Sequence, residues 1–133
     1  MLKKLFLTTF IVFSVTTTLA GTTQTIPFTS NKDPIKVAQN QTFDIVLPSN
    51  ATTGFSWKWN ATQYDQNLVT LVSHKYVAPT NTKMLGAPGY EVWEFKAKAG
   101  NYRVVQVGHI VMEYQRPWEK TLGTKKTFIV HIR

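Results

Sequence analysis

Four segments of this chain alternate between apolar and polar residues. A period of two fits little besides β-strands with one buried face. Phe43, Ile45 and Leu47 share one face of residues 41–47, with Asp44 on the other. Phe55, Trp57 and Trp59 alternate with Ser56 and Lys58. Trp93, Phe95 and Ala97 alternate with Glu94, Lys96 and Lys98 in residues 90–98. Phe128, Val130 and Ile132 line one face of residues 125–132.

The rest of the chain fits the same plan. Residues 35–37 read as a short strand, and residues 68–77 as a longer, β-branched one. Residues 102–114 form a long strand, with Val105, Val107 and Val111 on one face and Val104, Ile110 and Met112 on the other. Within it Gly108 marks a bulge or a close crossing. Ala99-Gly100-Asn101 is a tight turn that makes residues 90–98 and 102–114 a hairpin. Residues 21–33 read as a loose arm or a first edge strand around 25–28, and residues 60–66 as a polar loop. Pro48-Ser49 ends the strand that begins at residue 41. No long stretch beyond residue 20 keeps a helical period. The expected fold is therefore all-β, a sandwich or barrel of about seven or eight strands.

The chain opens Met1-Leu2-Lys3-Lys4, continues almost wholly apolar from Leu5 to Val15, and reaches Thr18-Leu19-Ala20. A basic start, a short apolar core and a small-residue exit describe a secretory leader. The apolar run falls short of the roughly 18 residues a membrane span needs. Cleavage after Ala20 leaves residues 21–133, a domain of 113 residues without cysteine. Such a domain is expected to be exported, periplasmic or secreted, with no membrane anchor once the leader is gone. Its core must hold without disulfides. The formal charge is +8, of which Lys3 and Lys4 carry two, leaving +6 for the domain. The lysines are scattered and no RNA-binding aromatic motif occurs, so charge alone does not point to nucleic acid.

Nothing in the sequence resembles a catalytic constellation. His74, His109 and His131 lie far apart, and no cysteine joins them as a metal ligand or nucleophile. Glu91 and Glu94 fall on opposite faces of one strand. No enzyme, cofactor or metal is expected.

Three loops carry the remaining information. The first is Asn50-Ala51-Thr52-Thr53-Gly54-Phe55, small and polar, with Gly54 able to take a positive φ. The second lies in the long stretch 78–89 and contains Leu85-Gly86-Ala87-Pro88-Gly89. The third contains Arg116-Pro117-Trp118. In this order they resemble the signature of the chagasin family, inhibitors of papain-like cysteine peptidases. That signature is Asn-Pro-Thr-Thr-Gly-Tyr/Phe, then Gly-x-Gly-Gly, then Arg-Pro-Trp/Phe. Ala51 stands where the family has Pro, and Pro88 where it has Gly.

The resemblance implies an immunoglobulin-like sandwich with the three loops at one end. It implies a monomeric, reversible, non-covalent inhibitor of a cathepsin-like peptidase. Thr52, Thr53 and Gly54 would lie by the catalytic cysteine and histidine, the second loop would flank one side, and Trp118 the other. Because Ala51 replaces Pro, Asn50-Ala51-Thr52 is also a glycosylation acceptor, which fits export where such glycans are not added. Two other readings stand beside this one. A carbohydrate-binding or adhesion sandwich requires Trp57 and Trp59 exposed, whereas strand core requires them buried. A nucleic-acid binder requires lysines and arginines gathered on one face.

Overall fold

The computed structural model describes residues 23–27, 32–80, 86–120 and 123–133. The expected leader, Phe28 and Leu85 lie outside the described residues. The strands are β1 (Gln24–Pro27), β2 (Ile35–Val37), β3 (Thr42–Ser49), β4 (Ser56–Trp59), β5 (Val69–Val77), β6 (Gly89–Ala97), β7 (Gln106–Gln115) and β8 (Thr124–Ile132). They form two four-stranded sheets, ordered β1-β3-β6-β5 and β2-β8-β7-β4. The edge pairs β1 with β3 and β2 with β8 are parallel, and all the others are antiparallel. This is the expected immunoglobulin-like sandwich, with eight strands.

The alternating residues meet between the sheets. Phe43, Ile45, Leu47 and Phe95 face Ile110, Met112, Phe128 and Val130, and all eight are fully buried. Phe43 stacks on Phe95 at 5.8 Å between ring centroids. Burying each of the larger side chains is worth about 1.5–3 kcal/mol. An apolar face repeated on β3, β6, β7 and β8 can thus replace the missing disulfides.

Several local expectations change. Residues 60–66 are not all loop, because α1 (Gln63–Leu68) forms there. Thr62 caps it: its side chain accepts from Asp65 N and its hydroxyl donates to Asp65 Oδ2 at 2.7 Å. This helix takes over where β4 ends. Beyond Met112, the partner of Trp59, the edge of β7 is met by Asn60 N donating to Val111 O. Next along that edge, His109 N donates to Asp65 Oδ1 at 2.9 Å. The helix therefore covers an otherwise open sheet edge. Gly108 marks the close crossing and not a bulge. Its register with β8 is unbroken, and a β-carbon there would stand 3.1 Å from Leu68 Cδ1.

The hairpin expected at Ala99-Gly100-Asn101 does not form. β6 and β7 belong to different sheets, and residues 98–105 cross between them. Lys98 N donates to Leu68 O, and Gly100 N to Gln39 Oε1, which fix the crossing. The strand accordingly starts at Gln106 and not at 102, leaving Val104 and Val105 exposed. Pro48 and Ser49 do not end their strand either. β3 pairs with β6 through Ser49, and Pro48 fits because β1 pairs no farther than Val46.

Strand direction brings the three loops together. Ser49 pairs with Gly89, Val77 with Tyr90, Ser56 with Gln115 and Tyr114 with Thr124. The connections β3–β4, β5–β6 and β7–β8 therefore all leave from one end. They are loop 1 (residues 50–55), loop 2 (78–88) and loop 3 (116–123).

Candidate functional site

Loop 1 is one 3-10 turn over Ala51–Thr53, capped at both ends. Asn50 Oδ1 accepts from Thr52 N at 3.2 Å and from Thr52 Oγ1 at 2.6 Å. Thr53 Oγ1 donates to Asn50 O at 2.8 Å. Gly54 ends the turn at φ +75°, the left-handed region that costs a side-chain-bearing residue about 1–2 kcal/mol. Ala51, Thr52 and Thr53 are left exposed at the tip. Both threonine hydroxyls donate within the loop, so neither is set up as a nucleophile.

Loops 2 and 3 are tied to that turn. Asn50 Nδ2 donates to Gly86 O at 3.0 Å, which fixes loop 2 against loop 1. Arg116 Nε donates to Thr53 O at 2.9 Å, while its Nη1 pairs with Glu119 at 2.8 Å. The Arg116 guanidinium also lies 4.4 Å from the Phe55 ring centroid. Arg116 thus braces loops 1 and 3, through Thr53 and Phe55 of the first and Glu119 of the third. Trp118 is 70% exposed, yet its ring edge overlies Gly54. In loop 2, Gly86 and Pro88 are exposed and Ala87 is half-buried, whereas Gly89 is buried as the first residue of β6.

A second set of residues supports the loops from below. Tyr114 stacks on Phe55 at 5.2 Å and lies tilted against Trp57 at 4.9 Å, and its hydroxyl accepts from Asn50 N at 3.0 Å. Trp57 Nε1 donates to Pro48 O at 2.8 Å. Glu91 is buried, and one of its oxygens reaches across to the other sheet while the second meets a neighbouring strand of its own. Oε2 accepts from Trp57 N at 3.1 Å, and Oε1 meets His74 Nε2 at 2.8 Å. His74 in turn stacks on Trp93 at 4.0 Å. Sequence reasoning read Trp57 as strand core or a sugar platform and gave Tyr114, Glu91 and His74 no role at this end. The available signal was parity: Glu91 and Tyr114 lie on the apolar faces of their strands, where a polar side chain needs a partner.

Burial pulls the Lys126 ammonium below the usual lysine range. Among the described residues, no three His, Asp or Glu side chains gather to hold a metal ion. No described helix is long and apolar enough to cross a membrane. The sugar-platform reading fails on burial. Trp57 and Trp93 are 5% and 6% exposed, and Trp59 packs edge-on against Phe95. The most exposed aromatic at this end is Trp118, with Tyr90 and Tyr76 also exposed where β6 begins and β5 ends.

Eight strands that present three mutually braced loops at one end describe a loop-presenting binding protein. Comparisons with known proteins narrow that class. Residues 36–132 match the family described as "Chagasin family peptidase inhibitor I42". Chagasin of Trypanosoma cruzi is 32% identical over 105 residues, covering 77% of this chain and 90% of that protein. The chain belongs to the chagasin family of peptidase inhibitors.

Solved structures agree on the fold. The cysteine protease inhibitor EhICP2 of Entamoeba histolytica superposes with a TM-score of 0.66 at 22% identity, over 83% of this chain and 95% of that one. The solution structure of amebosin gives 0.60 at 23% identity, over 85% and 98%.

Proposed function

We propose that the three-loop end enters and blocks the active-site cleft of a papain-like cysteine peptidase, reversibly and without a covalent bond. The observation that carries this reading is the contrast among the tryptophans. Trp57 and Trp93 are buried in the sandwich, while Trp118 stands 70% exposed over Gly54 beside the Thr52-Thr53 tip. A large ring held in place loses little freedom on binding, which is the usual character of an interface hot spot.

In this reading loop 1 occupies the cleft. Thr52, Thr53 and Gly54 lie against the catalytic cysteine and histidine, and a turn of this shape offers no extended peptide bond to attack. Gly86, Ala87 and Pro88 flank one side, with Leu85 beyond them in sequence. Pro117 and Trp118 flank the other. Asn50, Phe55 and Arg116 act from behind, fixing the relative positions of the three loops. Gly89 anchors loop 2 to β6. Residues 1–20 direct export, residues 21–133 are the inhibitor, and it acts as a monomer in the periplasm or outside the cell.

The decisive experiment is inhibition of papain by residues 21–133, beside the Trp118→Ala variant. Tight, reversible inhibition that falls by roughly thirtyfold in the variant, about 2 kcal/mol, supports the reading. No inhibition of papain or of a cathepsin-like enzyme at micromolar concentration refutes it. Intact mass of the exported protein tests the leader, with Gly21 expected as the first residue.

A further inference from the structure

The loop end is not wholly convex. Between loops 1 and 2 it is notched by an open cavity of about 280 Å³. Trp57 and Tyr114 line it from within the sandwich, and Pro48, Pro88 and Thr124 line it nearer the surface. Asn50 lines it from loop 1. Ser49 completes the lining, and three polar groups of that lining are already engaged. Trp57 Nε1 donates to Pro48 O, Tyr114 Oη accepts from Asn50 N, and Asn50 Nδ2 donates to Gly86 O. What remains for a ligand is chiefly ring and proline surface, with the small hydroxyls of Ser49 and Thr124 at its margin. Such a surface suits an aliphatic or aromatic group and offers little to a charged one.

We propose that this notch receives an apolar side chain of the bound peptidase, seated beside loop 1 as the wedge enters the cleft. The proposal rests on the inhibitor reading above and deepens it. Two facts select this occupant. Loops 1 and 2 each contribute a wall, so the notch opens within the surface that meets the enzyme. One wall is Pro88, at a position where the family signature has glycine. A glycine would leave that side bare. The notch therefore makes this chain selective for peptidases that carry an aliphatic or aromatic side chain on the corresponding rim of the cleft.

Two measurements on residues 21–133 test it with papain and a cathepsin-like enzyme. The first is Ki for Thr124→Phe, which projects a ring into the notch, against Thr124→Ser, which leaves it open. With at least one enzyme, Ki is expected to rise about tenfold or more for the first and to change far less for the second. The second follows the 15N-labelled indole N–H of Trp57 in the wild-type inhibitor, which needs no variant to fold. It is expected to shift on adding peptidase blocked at its active-site cysteine, while the Trp93 signal stays in place. An unchanged Ki for Thr124→Phe with both enzymes, or an unmoved Trp57 signal, overturns the proposal. So does phenol filling the notch without competing with the peptidase, which would mark a small-molecule site. Trp118→Ala separates the failures: if it loses inhibition while Thr124→Phe does not, the wedge stands and the notch falls. If the wild type does not inhibit at all, both fall.

Discussion

The ring of Trp118 lies across Gly54 so closely that a β-carbon on Gly54 would stand 2.6 Å from Trp118 Cη2. Two loops more than sixty residues apart in sequence are therefore shaped against each other. Gly54 serves twice, in the left-handed turn and under the indole. Gly54→Ala is expected to cost about 1–2 kcal/mol of stability from the turn alone. It should also displace the exposed indole and weaken inhibition. In a Trp118→Ala background the clash is absent, so the same substitution should change Ki much less. Thermal melts and inhibition assays on the four proteins of that cycle measure both effects. Equal changes in Ki in the two backgrounds would show that the indole position does not matter.

Arg116 holds Thr53 O through Nε, Glu119 through Nη1 and the Phe55 ring by its flat face. A lysine cannot make these contacts together, because its ammonium is a single point of charge. One hydrogen bond at about 1 kcal/mol and an exposed cation–π contact at about 0.5–1 kcal/mol are at stake. Arg116→Lys is therefore expected to raise Ki roughly tenfold or somewhat more, with a smaller change in melting temperature. Phe55→Leu keeps both Arg116 hydrogen bonds but removes the ring contacts with Arg116 and Tyr114, and should give an intermediate value. If Arg116→Lys inhibits as the wild type does, the brace is dispensable.

Much of this architecture could be read from the sequence because burial imposes a period. Phe43, Ile45 and Leu47, like Phe128, Val130 and Ile132, face the core as their spacing requires. Pairing left no such mark. Ala99-Gly100-Asn101 looks the same whether the chain turns back within its sheet or crosses to the other. Here the partners of Gln106 and Tyr114 lie in β8, beyond residue 123. Six residues are too few for α1 to show a helical period, and only Thr62-x-x-Asp65 marked its start. The loop motifs were legible through resemblance. Their mutual bracing was not, because Asn50 finds Gly86, and Arg116 finds Thr53, only once the strands align their ends.

Glu91 ties the sheets together just below the loops. It is 3% exposed and holds both Trp57 N and His74. Glu91→Ala leaves the Trp57 amide buried without its acceptor and opens a cavity beside Trp57. Breaking such a buried hydrogen bond typically costs about 1–3 kcal/mol, and the cavity adds to that. Glu91→Gln keeps an oxygen for Trp57 N and a donor for a neutral His74 ring, so it should cost clearly less. Urea unfolding followed by tryptophan fluorescence resolves the difference. Equal midpoints for the two variants would mean that side-chain shape, and not hydrogen bonding, is what Glu91 provides.

Asn50 has two functions that one substitution can separate. Its Oδ1 caps the Thr52 turn, and its Nδ2 holds Gly86 O at 3.0 Å. Asn50→Asp keeps the cap, since a carboxylate accepts from Thr52 N at least as well. It loses the donor, however, and sets a carboxylate oxygen against the Gly86 carbonyl. Loop 1 should keep its shape while loop 2 is released from it. The expected result is a melting temperature within a few degrees of wild type and a Ki raised about five- to tenfold, the loss of one hydrogen bond plus a local repulsion. Asn50→Ala removes cap and latch together and should fall further in both measurements. If Asn50→Asp inhibits as well as the wild type, loop 2 needs no latch to loop 1, and its position is set by β5 and β6 alone.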